Sequence, residues 1–299
     1  MAVPQTGIFA LGTAAHAYLE LDLTRTDDAG ELVSALAGLA AGRPTTGAAN
    51  LVVGVRPELW AQVAPDAAIV GLGGFTDPVV GQDGFTMPAT QRDAVVWVAG
   101  PAQDVVFDRA VEVTTAVAGV AELVAETFGW TYHRDLDLTG FVDGTENPPL
   151  SEAMGEVVAP EGAPGAGGSV LLLQKWRHHW ADWTSLSDAQ QEQVMGRTKV
   201  DDEELDDPPE TSHVARTDQA DYGHILRRNT AYGTVLDHGT TFVGFASSRA
   251  PLEAMLASMA GVAGPRDALT RYSTPLTGGY YAVPALSDLE RFVEPAADD

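Results

Sequence analysis

The chain of 299 residues is 45% apolar and 20% charged, ordinary usage for a folded protein with a sizeable core, and long enough for one large domain or two units of about 150 residues. Its 42 acidic residues against 17 basic give a net charge of −25, which repels phosphate backbones and anionic membranes and argues against nucleic acid as a partner. With no cysteine, disulfides, thiolate metal ligands, iron–sulfur clusters and thioether-linked haem are excluded, and a metal has to be held by histidine, carboxylates or a cofactor.

No run approaches the ~20 apolar residues of a membrane span, and the opening MAVPQTGIFALG lacks the basic region and apolar core of a secretory leader. No membrane partner and a cytoplasmic location are therefore expected. His16 to Thr24 alternates like a half-buried strand, and Asp27 to Ala41 has helical periodicity with an acidic start. NLVVGVRPEL and AVVWVAG (Ala94 to Gly100) read as strands. Beyond them Val106, Ala110, Val113, Val117, Val120 and Val124 recur at spacings of four and three behind Asp104, a candidate N-cap, which predicts one long helix with a continuous apolar face. WTYHRDLDL (Trp130 to Leu138) reads as the next strand, so the order is β-α-β-β-α-β.

APEGAPGAGGS (Ala159 to Ser169) marks an exposed connection, after which the order repeats. VLLLQKW is a strand, SLSDAQQEQVMG a helix opened by a serine cap, HILRRN and TTFVGFAS strands, PLEAMLASMAG a helix and TGGYYAVP a closing strand. Two such units predict an α+β fold of two tandem ferredoxin-like halves, residues 1–140 and 141–299, with facing antiparallel sheets in a barrel-like arrangement. No strong residue-level repeat links them. The C-terminal FVEPAADD shows no extended docking tail, so packaging inside a protein shell is not expected.

The glycines of AAIVGLGGFTDP fail as a dinucleotide motif, because the third glycine of G-x-G-x-x-G falls at Thr76 and no helix follows. DDEELDDPPE (Asp201 to Glu210) has no ligand-like spacing and reads as a solvated loop. The seven histidines are His16, His133, His178, His179, His213, His224 and His238. None has another four residues away, which leaves a zincin-like zinc site unsupported and leaves open a single histidine binding something larger than a bare ion. In GHILRRNT, strand alternation puts Arg227 and Asn229 on one face with Ile225, and His224 and Arg228 on the other. An arginine beside an amide suits either a satisfied surface pair or the stabilisation of a developing oxyanion. GFVDGTENP (Gly140 to Pro148) offers a similar choice. Asp143 and Gly144 form a turn dipeptide stopped by Asn147 and Pro148, while Phe141 and Val142, leading straight into the carboxylate, suit an acid at the edge of a buried pocket.

GFVDGTENP, followed by SHVAR and ILRRN, resembles the dye-decolourising peroxidase family, and above all its bacterial type B members. The resemblance extends to ALTRYSTPLTGGYYAVPAL, nearly the whole chain. It implies one haem b per chain, held non-covalently in the C-terminal half, with His213 as the iron ligand and Asp143, Arg227 and Asn229 as the distal acid, arginine and amide. Asp267 is implied as the carboxylate that accepts the other imidazole proton. The implied activity is the oxidation of dyes, phenolics or other one-electron donors by hydrogen peroxide through a ferryl intermediate, in a homo-oligomer. The short interval from His213 to Arg227 suggests a tight hairpin at TDQADYG. Two other readings stand beside this one: a haem-binding or haem-handling protein with incidental peroxidase activity, and an α+β protein with a calcium-like carboxylate loop at DGTEN.

Overall fold

The computed structural model describes residues 2–41 and 48–293; residues 294–299, most of FVEPAADD, lie outside the described residues. The N-terminal half consists of β1 (Ala15–Leu23), α1 (Ala29–Ala40), β2 (Asn50–Val55), α2 (Pro57–Val63), the short pair β3 (Val79–Val80) and β4 (Thr86–Met87), β5 (Ala94–Gly100), α3 (Gln103–Ala116) and β6 (Ala121–Trp130). The chain continues through α4 (Leu150–Val157), β7 (Ser169–His178), α5 (Trp180–Thr184), α6 (Asp188–Met195), α7 (His213–Arg216) and α8 (Gln219–Tyr222). It ends with β8 (Leu226–Gly233), β9 (His238–Ala246), α9 (Arg249–Ala260), β10 (Ser273–Pro275), β11 (Gly279–Val283) and α10 (Leu286–Leu289). No helix among the described residues is long and apolar enough to cross a membrane.

Leaving out the short elements, both halves follow β-α-β-β-α-β. The strands lie in the order β2-β5-β1-β6 in the first half and β8-β9-β7-β11 in the second, antiparallel throughout. Each half thus has the same ferredoxin-like strand order. Two seams close the sheets into an eight-stranded ring, Ala282 opposite Val55 at one, and Gly129 and Trp130 opposite Tyr232 and Ala231 at the other. β10 adds outside the ring, on β7.

The long helix expected from the valine spacing ends early. α3 buries Val106, Ala110 and Val113, its N-cap is Ala102 rather than Asp104, and Gly119 follows in the left-handed region at φ 87°. Val120 and Val124 continue the helical spacing by coincidence and lie beyond the helix, Val124 in β6. Nor is Trp130 to Leu138 a strand. His133 and Arg134 take positive φ values of 41° and 74°, so the chain turns back and Leu136 bridges both Tyr132 and Val142.

Alternation along the strands sorts side chains into layers. On β7, Leu171 and Leu173 join Trp97, Tyr281 and Phe245 inside the ring, whereas Leu172 and Trp176 face outward and pack beneath α9 with Leu252, Met255 and Leu256. Each such side chain contributes roughly 1.5–3 kcal/mol when fully buried. This outer layer of the second half is where the fold leaves room for a ligand.

His16, inside the ring, has 0% exposure, and its Nδ1 lies 3.3 Å from Trp97 Nε1, which donates to it. Burial, helped by Arg228, lowers its pKa from 6.5 to about 4. The folded chain therefore binds fewer protons here than the unfolded chain. The corresponding stability is intact above pH 6.5 and is lost as pH falls toward about 4, a loss on the order of 3 kcal/mol when complete. Urea midpoints measured from pH 7 to 4.5 are expected to fall less steeply for His16→Gln than for the unaltered protein; parallel curves would contradict this.

Candidate active site

Between the outward face of the second sheet and helices α7 and α9 lies a cavity of about 1590 Å³, its open mouth included. Its walls are largely apolar, with Leu172 and Trp176 from β7, Phe242 from β9, and Leu252 and Met255 from α9. Gln174, 1% exposed, also lines it, and among the described residues its Nε2 has no hydrogen-bond partner. A buried amide of this kind faces an interior shaped for something polar at one point and apolar around it.

His213 opens α7 on one wall. Ser212 caps this turn by accepting from Ala215 N at 3.3 Å, and His213 Nδ1 lies 2.7 Å from Asp267 Oδ2. Asp267 is fully buried (0% exposed), held by Leu269 N donating to its Oδ1 at 2.8 Å and by its own N–H on Met259 O. A carboxylate at Nδ1 selects the tautomer protonated there and leaves the Nε2 lone pair free to bind a metal. His178 is the other imidazole on the cavity wall, but its Nε2 is paired with Thr240 Oγ1 at 3.0 Å, and burial lowers its pKa to about 4. Among the described residues no carboxylate is hydrogen-bonded to it. The chemistry therefore favours His213 as a donor.

The GFVDGTENP turn supplies the acid. The fold-back at Leu136 lets Asp143 N donate to Asp135 O at 2.7 Å, and Gly144 at φ 79° makes the sharp exit, where a Cβ would fall 2.5 Å from Asn147 Nδ2. Asp143 Oδ1 accepts from Arg227 Nη1 at 3.0 Å and from Asn229 Nδ2 at 2.5 Å, while Oδ2 accepts from Asn229 N at 2.7 Å. Arg227 and Asn229 line the cavity; Asp143 is not among the lining residues and stands one hydrogen bond behind them. The structure thus brings the five candidate residues into two groups, His213 with Asp267 and Asp143 with Arg227 and Asn229. His224, which precedes β8 and lines a separate pocket with Glu146 and Asn147, belongs to neither.

Other residues at the cavity escape the sequence pattern. Asp137 lines it, accepts from Thr139 N at 2.7 Å and from the Thr139 hydroxyl, and has its pKa raised by burial against the opposing effect of those bonds. Its signal is the Asp-x-Thr spacing just before the glycine motif, a common turn. The acidic run at 201–210 is not wholly solvated: Asp202 and Glu204 line the cavity and surround Arg197, which also pairs with Glu146. With Asp143 on Arg227 and Glu146 on Arg197, the acids of DGTEN face arginines, which removes the calcium-loop reading. TDQADYG forms the helical turn α8, capped by Asp218 accepting from Ala220 N at 2.8 Å, and is no hairpin. Among the described residues no group of three or more histidines and acids is placed to hold a metal ion by itself.

Residues 134–288 match the family model for the C-terminal domain of Dyp-type peroxidases. The chain is 32% identical over 259 residues to a dye-decolorizing peroxidase of Rhodococcus erythropolis, a match covering 83% of this chain and 75% of that protein. Among solved structures, DyPB from Rhodococcus jostii RHA1 aligns with a TM-score of 0.87 at 32% identity, over 96% of this chain and 97% of that one. A dye-decolorizing peroxidase from Bacteroides thetaiotaomicron aligns with a TM-score of 0.88 at 28% identity, over 98% and 99% of the two chains. A variant of the R. jostii protein, described as a complex with haem, aligns with a TM-score of 0.85 at 32% identity, over 93% and 95%.

Proposed function

The chain belongs to the dye-decolourising peroxidase family, and from that premise we propose which of its residues carry out the family's reaction. The protein is a haem-dependent peroxidase that uses hydrogen peroxide to oxidise dyes and other aromatic donors. The residues fit the cofactor, with a large apolar cavity and an imidazole whose Nδ1 already has a carboxylate partner. Haem, when bound, supplies an iron that takes two oxidising equivalents from peroxide and returns them singly to donors. The observation that carries the residue assignment is that one cavity is lined by both His213 and the Arg227–Asn229 pair, each backed by its own carboxylate.

On this assignment His213 would hold the haem iron, and Asp267, 2.7 Å from its Nδ1, would keep the proton there and strengthen the ring as an electron donor. Asp143 would take a proton from peroxide, relayed through water, and return it as the oxygen–oxygen bond breaks. Arg227 offers fixed positive charge to the oxygen that turns negative as the bond breaks. The two acts are coupled. While Asp143 is ionised it neutralises Arg227 across 3.0 Å; once it takes the proton, the guanidinium charge is free for the oxyanion. Asn229 orients the carboxylate.

One haem per chain, a boundary between the halves at residues 140 and 141, a homo-oligomeric state and a cytoplasmic location complete the proposal. These four rest on the sequence.

Dye oxidation is expected to peak in mild acid, where a carboxylate is still a base and an imidazole in the same role would already be protonated. Cationic and neutral donors are expected to outpace anionic ones at low salt, because the net charge is −25. Turnover of a cationic and an anionic dye, followed across acidic, neutral and alkaline buffers at two salt concentrations, checks both statements. An alkaline optimum would remove Asp143 from the profile, and salt-independent parity between the dyes would remove the steering.

A further inference from the structure

β8 has a well-paired side and an incomplete one. It pairs with β9 along its whole length, from Leu226 to Gly233, but with β6 only at Ala231 and Tyr232. The backbone groups of residues 225, 227 and 229 face the gap that β6 leaves, and a buried N–H without a partner costs about 1–3 kcal/mol. Side chains fill the gap. Gln219 Oε1 accepts from Ile225 N at 3.0 Å; Asn147 Oδ1 accepts from Arg227 N at 2.8 Å while its Nδ2 donates to Arg227 O at 2.8 Å; Asp143 Oδ2 accepts from Asn229 N at 2.7 Å. Three side chains thus satisfy alternate residues on the side of β8 that lacks a strand.

The same residues tie down the loop. Gln219 Nε2 donates to Glu146 O at 2.8 Å, and Asn147 N donates to Gly144 O at 2.9 Å. The loop 143–147 is therefore pinned to β8 at Arg227 by Asn147 and beside Ile225 by Gln219. We propose that Asn147 and Gln219 are positioning residues for the peroxide reaction, holding the loop in register with β8 so that Asp143 stays on Arg227 and Asn229. When Asp143 takes up a proton its grip on three donors weakens, and the rungs at Arg227 and Ile225 keep the carboxylate within return distance. The inference rests on the assignment of Asp143 and Arg227 given above.

The test uses haem-loaded unaltered protein, Asn147→Ala, Gln219→Ala and Asp143→Asn, with three readouts. These are hydrogen exchange of the segment 223–230 by mass spectrometry, the rate of the ferric protein's reaction with peroxide, and the rate at which a saturating donor returns the oxidised protein to the ferric form. Asn147→Ala is expected to raise exchange in that segment alone and to slow the peroxide step about 10- to 100-fold, the scale of a misplaced catalytic group, leaving the donor step unchanged. Gln219→Ala, which touches neither Asp143 nor the Arg227 backbone, is expected to show the same pattern with a smaller loss, and it carries the test if Asn147→Ala does not fold. Local exchange raised with an unchanged peroxide rate overturns the proposal, as does a slowing shared by both steps. If Asp143→Asn reacts like the unaltered protein, the assignment of the acid fails; if it alone is slow, only the positioning role fails.

Discussion

His213→Ala is expected to lose stable haem binding, leaving a purified protein with little or no Soret band after incubation with haemin. The expectation rests on what remains at the site. No cysteine exists to replace the ligand, and His178, the other imidazole on the cavity wall, has its Nε2 engaged by Thr240. His224 precedes β8 and lines a separate pocket with Glu146 and Asn147. The substitution also strips Asp267, fully buried, of its 2.7 Å partner. Leaving a buried acceptor without its hydrogen-bond partner commonly costs about 1–3 kcal/mol, so a lowered unfolding midpoint is expected together with the lost band. Replacing a residue that merely supports a metal ligand already weakens affinity about 10–100-fold, and removing the ligand itself should exceed that. Unchanged haem content and an unchanged ferric spectrum would place the ligand elsewhere, with His178 as the next candidate.

Arg227→Leu is expected to slow the reaction of the ferric protein with peroxide more than Asp143→Asn does. Removing one fixed electrostatic group at a developing oxyanion costs about 10²–10³-fold, and general acid–base help is worth about 10²–10⁴-fold. The ranges overlap, so the geometry has to decide. On the proposed assignment Asp143, one hydrogen bond behind Arg227, would work through water, a relay that would persist in part without it. Arg227 lines the cavity itself, whereas Arg197, also on its wall, is held by Glu146, Asp202 and Glu204. Asp143→Asn also leaves Arg227 without its neutralising partner, so the positive charge is permanently available and compensates for part of the lost proton transfer. An Asn229 substitution removes only the 2.5 Å side-chain contact and keeps the backbone donor at 2.7 Å, so it should matter least of the three.

Much of the site is legible in the amino-acid order. Alternation alone puts Arg227, Asn229 and Ile225 on one face, which is the face that lines the cavity, and turns Arg228 away onto Trp97. Ser187 is readable as a cap because the capping box with Gln190 is local in sequence. The failures have physical causes. Valines at helical spacing run past Gly119 because periodicity does not register a positive φ, and TYHRDLDL resembles a strand because its turn depends on the backbone of His133 and Arg134 rather than on glycine or proline. Local pattern shows Asn147 only as a turn stop. Its bonds to Arg227 join residues 80 apart in the chain, and nothing nearby in the sequence announces them. Asp202 and Glu204 look like solvent-facing charge for a similar reason, since the arginine they surround is recognised only in three dimensions.

The most direct test of the site is rapid mixing of ferric haem-loaded protein with a stoichiometric amount of peroxide, following the decay of the ferric Soret band in the unaltered protein, Asp143→Asn and Arg227→Leu, all with equal haem content and matching ferric spectra. Complete reaction of the unaltered protein at one equivalent is expected, with a slower reaction in Asp143→Asn and the slowest in Arg227→Leu. If all three react at the same rate, neither residue serves peroxide cleavage; if Asp143→Asn is the slowest, proton transfer governs the step and the order of the two roles is reversed.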